Sequence, residues 1–431
     1  MATRFDPAGP LRGALRPPSD KSISHRAALI AAMGEETTTI VDYLDAADTR
    51  STLAAVEAVG ARVESADGLR MQLRIEGVGL RGAGPATIDV GNAGTLLRLL
   101  PGWLAGQVGE SWVLDGDDSI RRRPVDRIAV PLRRMGARLA AREERLPPLQ
   151  ITGAALHGID YELPVASAQV KSCLLFAGLL ADSETTVIES HPSRDHTERM
   201  LAAAGAEVVA ADGRVTVRPA ERLEPGEIAV PADISSAAFF LVAAGLVAGS
   251  EVVLKGVGVN PTRTGILAIL ERMGAAIEVE PRGEAGGEPV ADLRVRPAPL
   301  RATEVGGAEI PLAIDELPLV ALAACFAEGT TTIRDAEELR RKESDRVETV
   351  TTALRALGGE VEPTPDGMVV TGTGGLRGGA IESHGDHRIA MLGAVAGLAS
   401  SEGVEVGDME AAAVSYPGFG ADLAALQGDG P

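Results

Sequence analysis

The chain repeats one pattern six times, and this repetition limits its fold more than any other feature. Each copy has a polar cluster, a helical run rich in alanine and leucine, and a turn that leads into a short β-branched strand. The helical runs are SHRAALIAAM, TLLRLLPGWLA, QVKSCLLFAGLLA, SSAAFFLVAAGLVA, LPLVALAACFA and HRIAMLGAVAGLAS. In five copies a second helix follows and ends at a glycine before another strand: Gly60, Gly136, Gly205, Gly274 and Gly358. The period of about seventy residues predicts a duplicated α+β unit, longer than the repeats of solenoid proteins, which have about 20 to 50 residues.

The length of 431 residues indicates two domains, because one core of that size is uncommon. Six copies then suggest three units in each domain. The fourth copy follows the connector RPAERLEPGEIAVP, so we expect the chain to cross between domains near Pro231. The sixth copy ends without its last strands, and if the N-terminal strand GPLRGALRPPSD supplies them, a second crossing lies near Ser19. We therefore expect one domain over 20–230 and another over 1–19 and 231–431.

Composition and charge exclude several classes of protein. The formal net charge is −20 and only 3% of the residues are aromatic, which argues against nucleic acid as a partner. The chain has no apolar run of the roughly 18 residues that a membrane-spanning helix needs, so we expect no membrane association. The N-terminal stretch has no pattern for export, and Cys173 and Cys325 lie in apolar helical runs as core residues do. We therefore expect a cytoplasmic protein, and we expect it to be a monomer.

Polar clusters recur at the start of the first helix of every copy and in the loop after the next strand. The helix clusters are SDKS, GNAGT, ASAQ, ADISS, AIDE and HGDHR, and the loops add RRRP, SRDH, NPTR and RRKESDR. Helix capping explains their Ser, Thr, Asp and Asn residues. It does not explain the basic residues at corresponding ends of the units, which are Lys21, Arg26, Arg123, Arg194, Lys342, Arg346 and Arg388. We expect these groups to line a cleft between the two domains that binds a small polyanion, since helix N-termini also attract anions.

Other motifs in the chain are weaker signals. GVGLRG fits the spacing of a dinucleotide-binding loop, but AGPATIDV follows it where a helix is needed. HGDH and HPSRDH offer only histidine and aspartate, without cysteine or an H-E-x-x-H frame, so we expect no metal. The sequence alone does not exclude a Ser-His-Asp triad, although the chain has no G-x-S-x-G turn.

The ordered set of motifs resembles the 5-enolpyruvylshikimate-3-phosphate synthases, the enolpyruvyl transferases of the shikimate pathway. The motifs that carry the resemblance run from end to end: PSDKSISHRA, GNAGTLLR, SIRRRP, VASAQVKS, SRDHTERM, NPTRTG, AIDELP, RRKESDR and GDHRIAM. Within the family, PSDKSISHR, ASAQVKS and SRDHTE are most similar to the branch that includes glyphosate-tolerant members. The resemblance implies an α+β fold with two domains, each of three repeated βαβαββ units in pseudo-threefold symmetry, and an active site in the cleft between them.

The same resemblance implies the reaction and its binding residues. The 5-hydroxyl of shikimate 3-phosphate adds to C2 of phosphoenolpyruvate, and the tetrahedral adduct then loses inorganic phosphate, with no cofactor. The residues expected to bind shikimate 3-phosphate are Lys21, Ser22, Arg26, Ser167, Ala168, Gln169, Arg194, Asp315 and Lys342. Those expected to bind phosphoenolpyruvate, whose site glyphosate occupies in the family, are Lys21, Gly94, Arg123, Gln169, Arg346 and Arg388.

The chemistry needs a base for the hydroxyl and an acid for the methylene carbon. Asp315 fits the first role, and Glu343, with Lys21 nearby, fits the second. The cations beside Glu343 favour its ionised form, so it acts as an acid only if burial or substrate charge offsets them. Either Glu343 or Lys21 delivers the proton on this interpretation.

Two positions depart from the pattern that many family members share. Some members place a lysine against phosphoenolpyruvate where this chain has Val414, so that contact is absent or supplied elsewhere. Ala168 stands where many members have a second serine, which removes one hydroxyl.

Gly94 has two interpretations. It permits a tight turn before the helix, or its missing Cβ leaves room for a ligand.

Two other functions compete with this interpretation. The related transferase that acts on UDP-N-acetylglucosamine has a reactive cysteine in the loop that reads DGDDSIRRRP here, and an asparagine where this chain has Ser22. A non-catalytic anion-binding module is the other alternative. Asp315 and Glu343 argue against it, because plain anion binding gains nothing from carboxylates among the cations.

Overall fold

The computed structural model describes residues 2–66 and 71–428. Contacts divide the chain into two compact units. The first unit comprises Ser19–Pro231 and Glu284–Glu288, and the second comprises Met1–Pro18, Ala232–Gly283 and Pro289–Pro431. Residue 1 and residues 429–431, where the second expected domain begins and ends, lie outside the described residues. The short segment Glu284–Glu288 belongs to the first unit although it lies within the sequence of the second, which the sequence did not suggest.

The secondary structure follows the predicted alternation of helices and short strands. The helices are α1 (Lys21–Met33), α2 (Ala47–Ala58), α3 (Gly94–Leu104), α4 (Asp126–Arg134), α5 (Ala168–Gly178), α6 (His196–Ala203), α7 (Ile234–Leu246), α8 (Gly265–Arg272), α9 (Ile310–Ala313), α10 (Leu317–Ala324), α11 (Arg346–Ala356), α12 (His387–Ala399) and α13 (Phe419–Gln427). The strands are β1 (Thr3–Phe5), β2 (Arg12–Leu15), β3 (Thr37–Val41), β4 (Arg62–Ala66), β5 (Gln72–Glu76), β6 (Ala86–Asp89), β7 (Ser111–Asp115), β8 (Arg138–Arg142), β9 (Leu146–Thr152), β10 (Asp160–Glu162), β11 (Thr185–Ile188), β12 (Val208–Ala211), β13 (Arg214–Val217), β14 (Glu227–Ala229), β15 (Glu251–Gly258), β16 (Ala276–Ala285), β17 (Glu288–Arg296), β18 (Glu304–Val305), β19 (Thr330–Ile333), β20 (Glu360–Thr364), β21 (Gly367–Thr371), β22 (Gly379–Glu382) and β23 (Val404–Gly407).

The described strands form six small sheets, and five of them share one topology. Their strand orders are β14-β3-β5-β4, β6-β7-β9-β8, β10-β11-β13-β12, β16-β17-β15-β2 and β18-β19-β21-β20. In each of these five sheets one edge strand, which we call the leading strand, pairs in parallel with the strand that follows the first helix of the copy. The strand after the first helix also pairs antiparallel with the last strand of the copy. The sixth sheet has the order β1-β23-β22. The predicted α+β fold of six repeated units is therefore confirmed.

The N-terminal strands complete two different sheets, which corrects the sequence interpretation. The stretch GPLRGALRPPSD contains β2, and β2 pairs in parallel with β15 of the fourth copy, with Arg12 opposite Glu251. We expected this stretch to complete the sixth copy, and that expectation is wrong. That copy is completed by β1, which pairs antiparallel with β23. The reason is that β14, the strand directly before the fourth copy, pairs with β3 of the first copy, so β2 takes the leading position in the fourth.

Three helices in each unit are buried along most of their length. These inner helices are α1, α3 and α5 in the first unit and α7, α10 and α12 in the second. A small residue allows two of these helices to pack closely where α3 meets α5. At Gly102 in α3, for example, a Cβ would lie 2.0 Å from the carbonyl oxygen of Cys173 in α5, so any larger residue would push the two helices apart. No helix in residues 2–66 and 71–428 is long and apolar enough to cross a membrane.

Glycines end the second helix of five copies, as the sequence predicts. Gly60, Gly136, Gly205, Gly274 and Gly358 all have positive φ, between 89° and 110°. An L-residue with a side chain rarely adopts this backbone conformation, whereas glycine does so without steric cost. These residues therefore set the turn from helix to strand.

Candidate active site

Helix capping places several predicted site residues at the first turns of the inner helices. Asp20 caps α1 by accepting a hydrogen bond from the backbone N–H of Ile23 at 2.9 Å. Ser167 caps α5, because its Oγ accepts from the N–H of Val170 at 3.4 Å. Lys21 is therefore the first residue of α1, and Ala168 and Gln169 are the first two residues of α5. The unpaired N–H groups and partial positive charge of a helix N-terminus lie close to these positions.

Several residues expected to bind shikimate 3-phosphate lie together in the first unit. Arg194 Nη1 donates to Ser22 Oγ at 3.5 Å, and Arg26 Nη1 donates to the Ser22 carbonyl oxygen at 2.9 Å. Lys21 Nζ donates to Asp48 Oδ2 at 2.9 Å. Sequence reasoning missed Asp48, which lies at the start of α2 and partly neutralises the lysine.

Arg26 is a buried cation with a rigid set of partners. Only 2% of the residue is exposed. Its Nε donates to Thr197 Oγ1 at 2.7 Å and its Nη2 donates to Ser172 Oγ at 2.8 Å, and the two hydroxyls lie 2.6 Å apart. Burial lowers the pKa of Arg26 to about 10, so the guanidinium is still charged at neutral pH. Thr197 and Ser172 were missed, although the motifs SRDHTE and QVKS contain them.

A second group of predicted residues surrounds the start of α3. Gln169 Oε1 accepts from Arg98 Nη1 at 3.0 Å, and Gln169 Nε2 donates to Thr95 Oγ1 at 3.1 Å. A Cβ at Gly94 would lie 2.5 Å from Nη1 of Arg123 and 3.2 Å from Nη1 of Arg98. Two guanidinium groups therefore face the backbone of Gly94. Arg98 was missed, and its position four residues after Gly94 on the same helix face was the available signal.

In the second unit, Asp315 lies within reach of several cations. Its carboxylate has cationic nitrogens nearby from Lys342 at 3.3 Å, Arg346 at 3.5 Å, Arg388 at 3.9 Å and Arg263 at 4.0 Å. Arg388 Nη1 also donates to the backbone carbonyl of Asp315 at 3.1 Å. The carboxylate is thus fixed in an electropositive setting.

Arg346 holds three carboxylates in place. Its Nη2 donates to Glu343 Oε2 at 2.6 Å and its Nε donates to Asp386 Oδ2 at 2.9 Å, beside the contact with Asp315. Burial would lower the pKa of Arg346, but the charges of Asp386 and Glu343 outweigh it and raise the pKa well above its ordinary value. Glu343 thereby accepts from a permanent cation.

A buried glutamate adjoins this cluster. Glu316 is fully buried, and Ser235 Oγ donates to its Oε1. Arg263 Nη2 donates to Ser235 Oγ at 2.9 Å and to Asp233 Oδ1 at 3.1 Å, and Arg388 Nη1 lies 3.8 Å from Glu316 Oε1. These acidic and hydroxyl groups orient the two arginines that approach Asp315.

Of the described residues, one group has the composition and spacing of a metal site: Asp195, His196 and Glu288. His196 Nδ1 hydrogen-bonds Glu288 Oε1 at 2.7 Å, and Arg199 Nε donates to Asp195 Oδ2 at 2.9 Å. In this arrangement His196 and Glu288 pair with each other, and Arg199 neutralises Asp195.

This chain is similar to known proteins over nearly its whole length. The family model described as EPSP synthase (3-phosphoshikimate 1-carboxyvinyltransferase) matches residues 5–423. The chain belongs to the EPSP synthase family. Among curated relatives, the 3-phosphoshikimate 1-carboxyvinyltransferase of Synechococcus sp. (strain RCC307) is 52% identical over 427 residues, which cover 97% of this chain and 98% of the relative. The enzyme of the same name from Xanthomonas euvesicatoria pv. vesicatoria (strain 85-10) is 52% identical over 412 residues, 95% of this chain and 93% of the relative.

Solved structures give the same result. EPSP synthase from Acinetobacter baumannii, solved at 2.37 Å, has a TM-score of 0.86 and 42% sequence identity to this chain. The alignment covers 98% of this chain and 97% of that one. The family that the motifs predicted is therefore confirmed.

Proposed function

We propose that this chain transfers the enolpyruvyl (carboxyvinyl) group of phosphoenolpyruvate to the 5-hydroxyl of shikimate 3-phosphate. The products are 5-enolpyruvylshikimate 3-phosphate and inorganic phosphate, and the reaction belongs to the shikimate pathway of aromatic amino acid biosynthesis. The observation that carries the proposal is the match to the EPSP synthase family over residues 5–423. The two cationic clusters support it, because each substrate brings a phosphate and a carboxylate that must be bound.

For shikimate 3-phosphate, the proposed contacts combine cations with the N-terminus of α5. Lys21, Arg26 and Arg194 supply charge, and Ser22 lies between the two arginines. Ala168 has no polar side-chain atom, so its contribution is the backbone N–H in the first turn of α5. The remaining residues assigned to this substrate are Ser167, Gln169, Asp315 and Lys342.

For phosphoenolpyruvate, the proposed contacts are cations around the backbone of Gly94 and near Asp315. Arg123 faces Gly94 directly, since a Cβ there would lie 2.5 Å from its Nη1. Arg388 and Arg346 both contact Asp315. The remaining residues assigned to this substrate are Lys21 and Gln169.

The first chemical step joins the two substrates. Asp315 takes the proton of the 5-hydroxyl while the hydroxyl oxygen bonds to C2 of phosphoenolpyruvate. The electron pair of the C2–C3 double bond takes up a proton, and C3 becomes a methyl group. Glu343 and Lys21 are the two proposed donors for that proton. Because Glu343 accepts from Arg346 at 2.6 Å, its ionised form is favoured, and it gives a proton only when that contact weakens.

The second step expels phosphate from the tetrahedral adduct. The methyl group loses a proton to the group that supplied it, the double bond forms again, and the C2–O bond to phosphate breaks with its electron pair. The departing phosphate takes up one proton, and Asp315 gives up the proton that it took from the hydroxyl, so the base returns to its ionised form. Cations near the departing phosphate stabilise the charge that develops on it. Arg123 and Arg388 are the residues that we assign to this task.

Product analysis by nuclear magnetic resonance tests the proposal. With both substrates we expect inorganic phosphate in the ³¹P spectrum and new vinyl protons on a product that keeps its 3-phosphate. Replacing shikimate 3-phosphate with UDP-N-acetylglucosamine should give no product, and a product with that acceptor would favour the related transferase. Binding of shikimate 3-phosphate without any product would favour a non-catalytic anion-binding module.

We also propose that the chain acts as a cytoplasmic monomer. Both cysteines are buried and free, which suits a reducing compartment. Among the described residues, the large hydrophobic side chains that are exposed are scattered valines: Val108, Val130, Val165, Val209 and Val279. Isolated residues of this kind do not make an association surface. Light scattering after gel filtration tests the proposal, because a mass of twice 44.4 kDa would contradict it.

A further inference from the structure

Helix α5 carries a buried lysine that the proposed reaction does not use. Lys171 is 1% exposed, and it is the only charged residue in the run QVKSCLLFAGLLA. Its Nζ donates to Glu189 Oε2 at 2.7 Å, lies 2.7 Å from Glu198 Oε1, and donates to the backbone carbonyl of Ser193 at 3.4 Å. The three contacts match the three N–H donors of an ammonium group.

These partners span the loop that carries Arg194. Strand β11 ends at Ile188 and α6 begins at His196, so Glu189 is the first residue of the loop and Glu198 lies in the first turn of α6. Ser193 directly precedes Arg194, and its Oγ also donates to Glu189 Oε1. The ammonium of Lys171 on α5 therefore contacts the start of the loop, its middle, and α6, the helix that follows the loop.

Burying the charges of this network costs free energy, and its contacts are not needed for stability alone. The side chains of Glu189 and Glu198 are only 6% and 7% exposed, so two carboxylates share one buried ammonium. Burial raises the pKa of Glu198, which shows that its charge is held in an unfavourable medium. Apolar side chains of similar size often stabilise a core as well as a buried ion network does. Such a network does fix geometry, since each partner has few alternative positions.

The loop geometry matters because Arg194 must reach another helix. Arg194 Nη1 lies 3.5 Å from Ser22 Oγ in α1, while Ser167 and Gln169 lie at the start of α5. The tie to Lys171 thus sets the distance between Arg194 and the α5 residues assigned to the same substrate.

We propose that Lys171 is a positioning residue for shikimate 3-phosphate, which holds the Glu189–Asp195 loop so that Arg194 faces the substrate. The inference rests on the proposed function, because that function assigns Arg194 to shikimate 3-phosphate. Lys171 itself does not touch the substrate, since its ammonium is buried and occupied by the loop. Its effect passes through Arg194.

Two variants test whether the network positions Arg194, and neither leaves a buried charge without its partner. Ser193→Ala removes one hydroxyl and leaves the ion pairs intact, so we expect it to fold normally. The triple variant Lys171→Met, Glu189→Gln, Glu198→Gln removes every charge of the network while keeping the side-chain volumes close to the original. Leu174→Ala, at a fully buried position of α5 outside the network, is the control for general loss of stability.

Titration calorimetry with shikimate 3-phosphate measures the effect. We expect the dissociation constant to rise about threefold in Ser193→Ala and about tenfold in the triple variant. The KM for phosphoenolpyruvate should change less than about twofold in both. Leu174→Ala should lower the melting temperature without changing either constant.

The decisive comparison repeats the triple variant in an Arg194→Ala background. If Lys171 acts through Arg194, the network substitutions cause no further loss of affinity there, whereas additive losses would overturn the inference. Unchanged affinity in the folded triple variant would overturn it as well. Absence of binding by the wild type would refute the proposed function and this inference together, but wild-type binding with unaffected variants refutes the inference alone.

Discussion

Replacing Gly94 with alanine should affect ligands more than it affects the fold. Gly94 is the first residue of α3 and does not have positive φ, so alanine fits its backbone without strain. The tight turn before α3 therefore does not require a left-handed conformation at Gly94. The added Cβ would lie 2.5 Å from Nη1 of Arg123, about 1 Å closer than ordinary contact between heavy atoms. Because that atom ends a flexible side chain, the guanidinium moves instead of the backbone.

Displacement of this guanidinium sets the magnitude of the effect. A hydrogen bond to a charged group contributes about 1.5–3 kcal/mol, and each 1.4 kcal/mol changes an equilibrium constant about tenfold. The resemblance implies that glyphosate binds in the phosphoenolpyruvate site, and we expect this longer molecule to tolerate the methyl group less well. We expect Gly94→Ala to raise the inhibition constant of glyphosate about tenfold or more and the KM of phosphoenolpyruvate only a few-fold.

Steady-state inhibition kinetics with phosphoenolpyruvate as the varied substrate measure both constants. Gly420→Ala is a matched control, since it lies in α13 and its Cβ would meet no other described atom within 4 Å. It should leave both constants unchanged. Equal factors for glyphosate and phosphoenolpyruvate in Gly94→Ala would refute the steric reasoning.

Three other expectations follow from single side chains. Lys21→Ala and Arg123→Ala should each reduce kcat/KM by about 10- to 150-fold while the melting temperature stays close to that of the wild type, and near-normal kinetics in both would contradict the substrate assignment. Burial lowers the pKa of His25 to about 3, so between about pH 6.5 and that value the unfolded chain binds a proton that the folded protein does not. His25 alone should therefore lower the free energy of unfolding by about 1.4 kcal/mol for each pH unit below about 6.5. Urea denaturation should show a shallower pH dependence in His25→Gln than in the wild type, and identical slopes would refute this expectation. Burial raises the pKa of Cys325 to about 12 and also raises that of Cys173, so neither thiol should react with Ellman's reagent at pH 8 until the protein is denatured.

The sequence predicts those parts of the fold that depend on local chemistry. The helix-ending glycines were visible because only glycine adopts positive φ readily, and all five have it. The starts of the inner helices were visible because Asp20, Ser167 and Asp386 are capping residues that accept backbone N–H groups. Periodicity and capping are properties of neighbouring residues, so one chain is enough to show them.

Contacts between distant segments were not predictable in the same way. Nothing local distinguishes β1 from β2 as the strand that pairs with β15, because strand pairing depends on the whole sheet. The pairing of Lys21 with Asp48 joins two helices of one copy through tertiary packing. The buried network of Lys171 was missed for the same reason, because its partners Glu189 and Glu198 lie beyond the next strand.

Phosphate release tests the proposed transfer most directly. The wild-type protein should release inorganic phosphate only when phosphoenolpyruvate and shikimate 3-phosphate are both present, in a one-to-one ratio with the new product. Asp315→Asn should still bind shikimate 3-phosphate, measured by calorimetry, but should lose turnover because the hydroxyl no longer has its base. Phosphate release from phosphoenolpyruvate alone, or release by Asp315→Asn at the wild-type rate, would contradict the proposed transfer and the role of Asp315 in it.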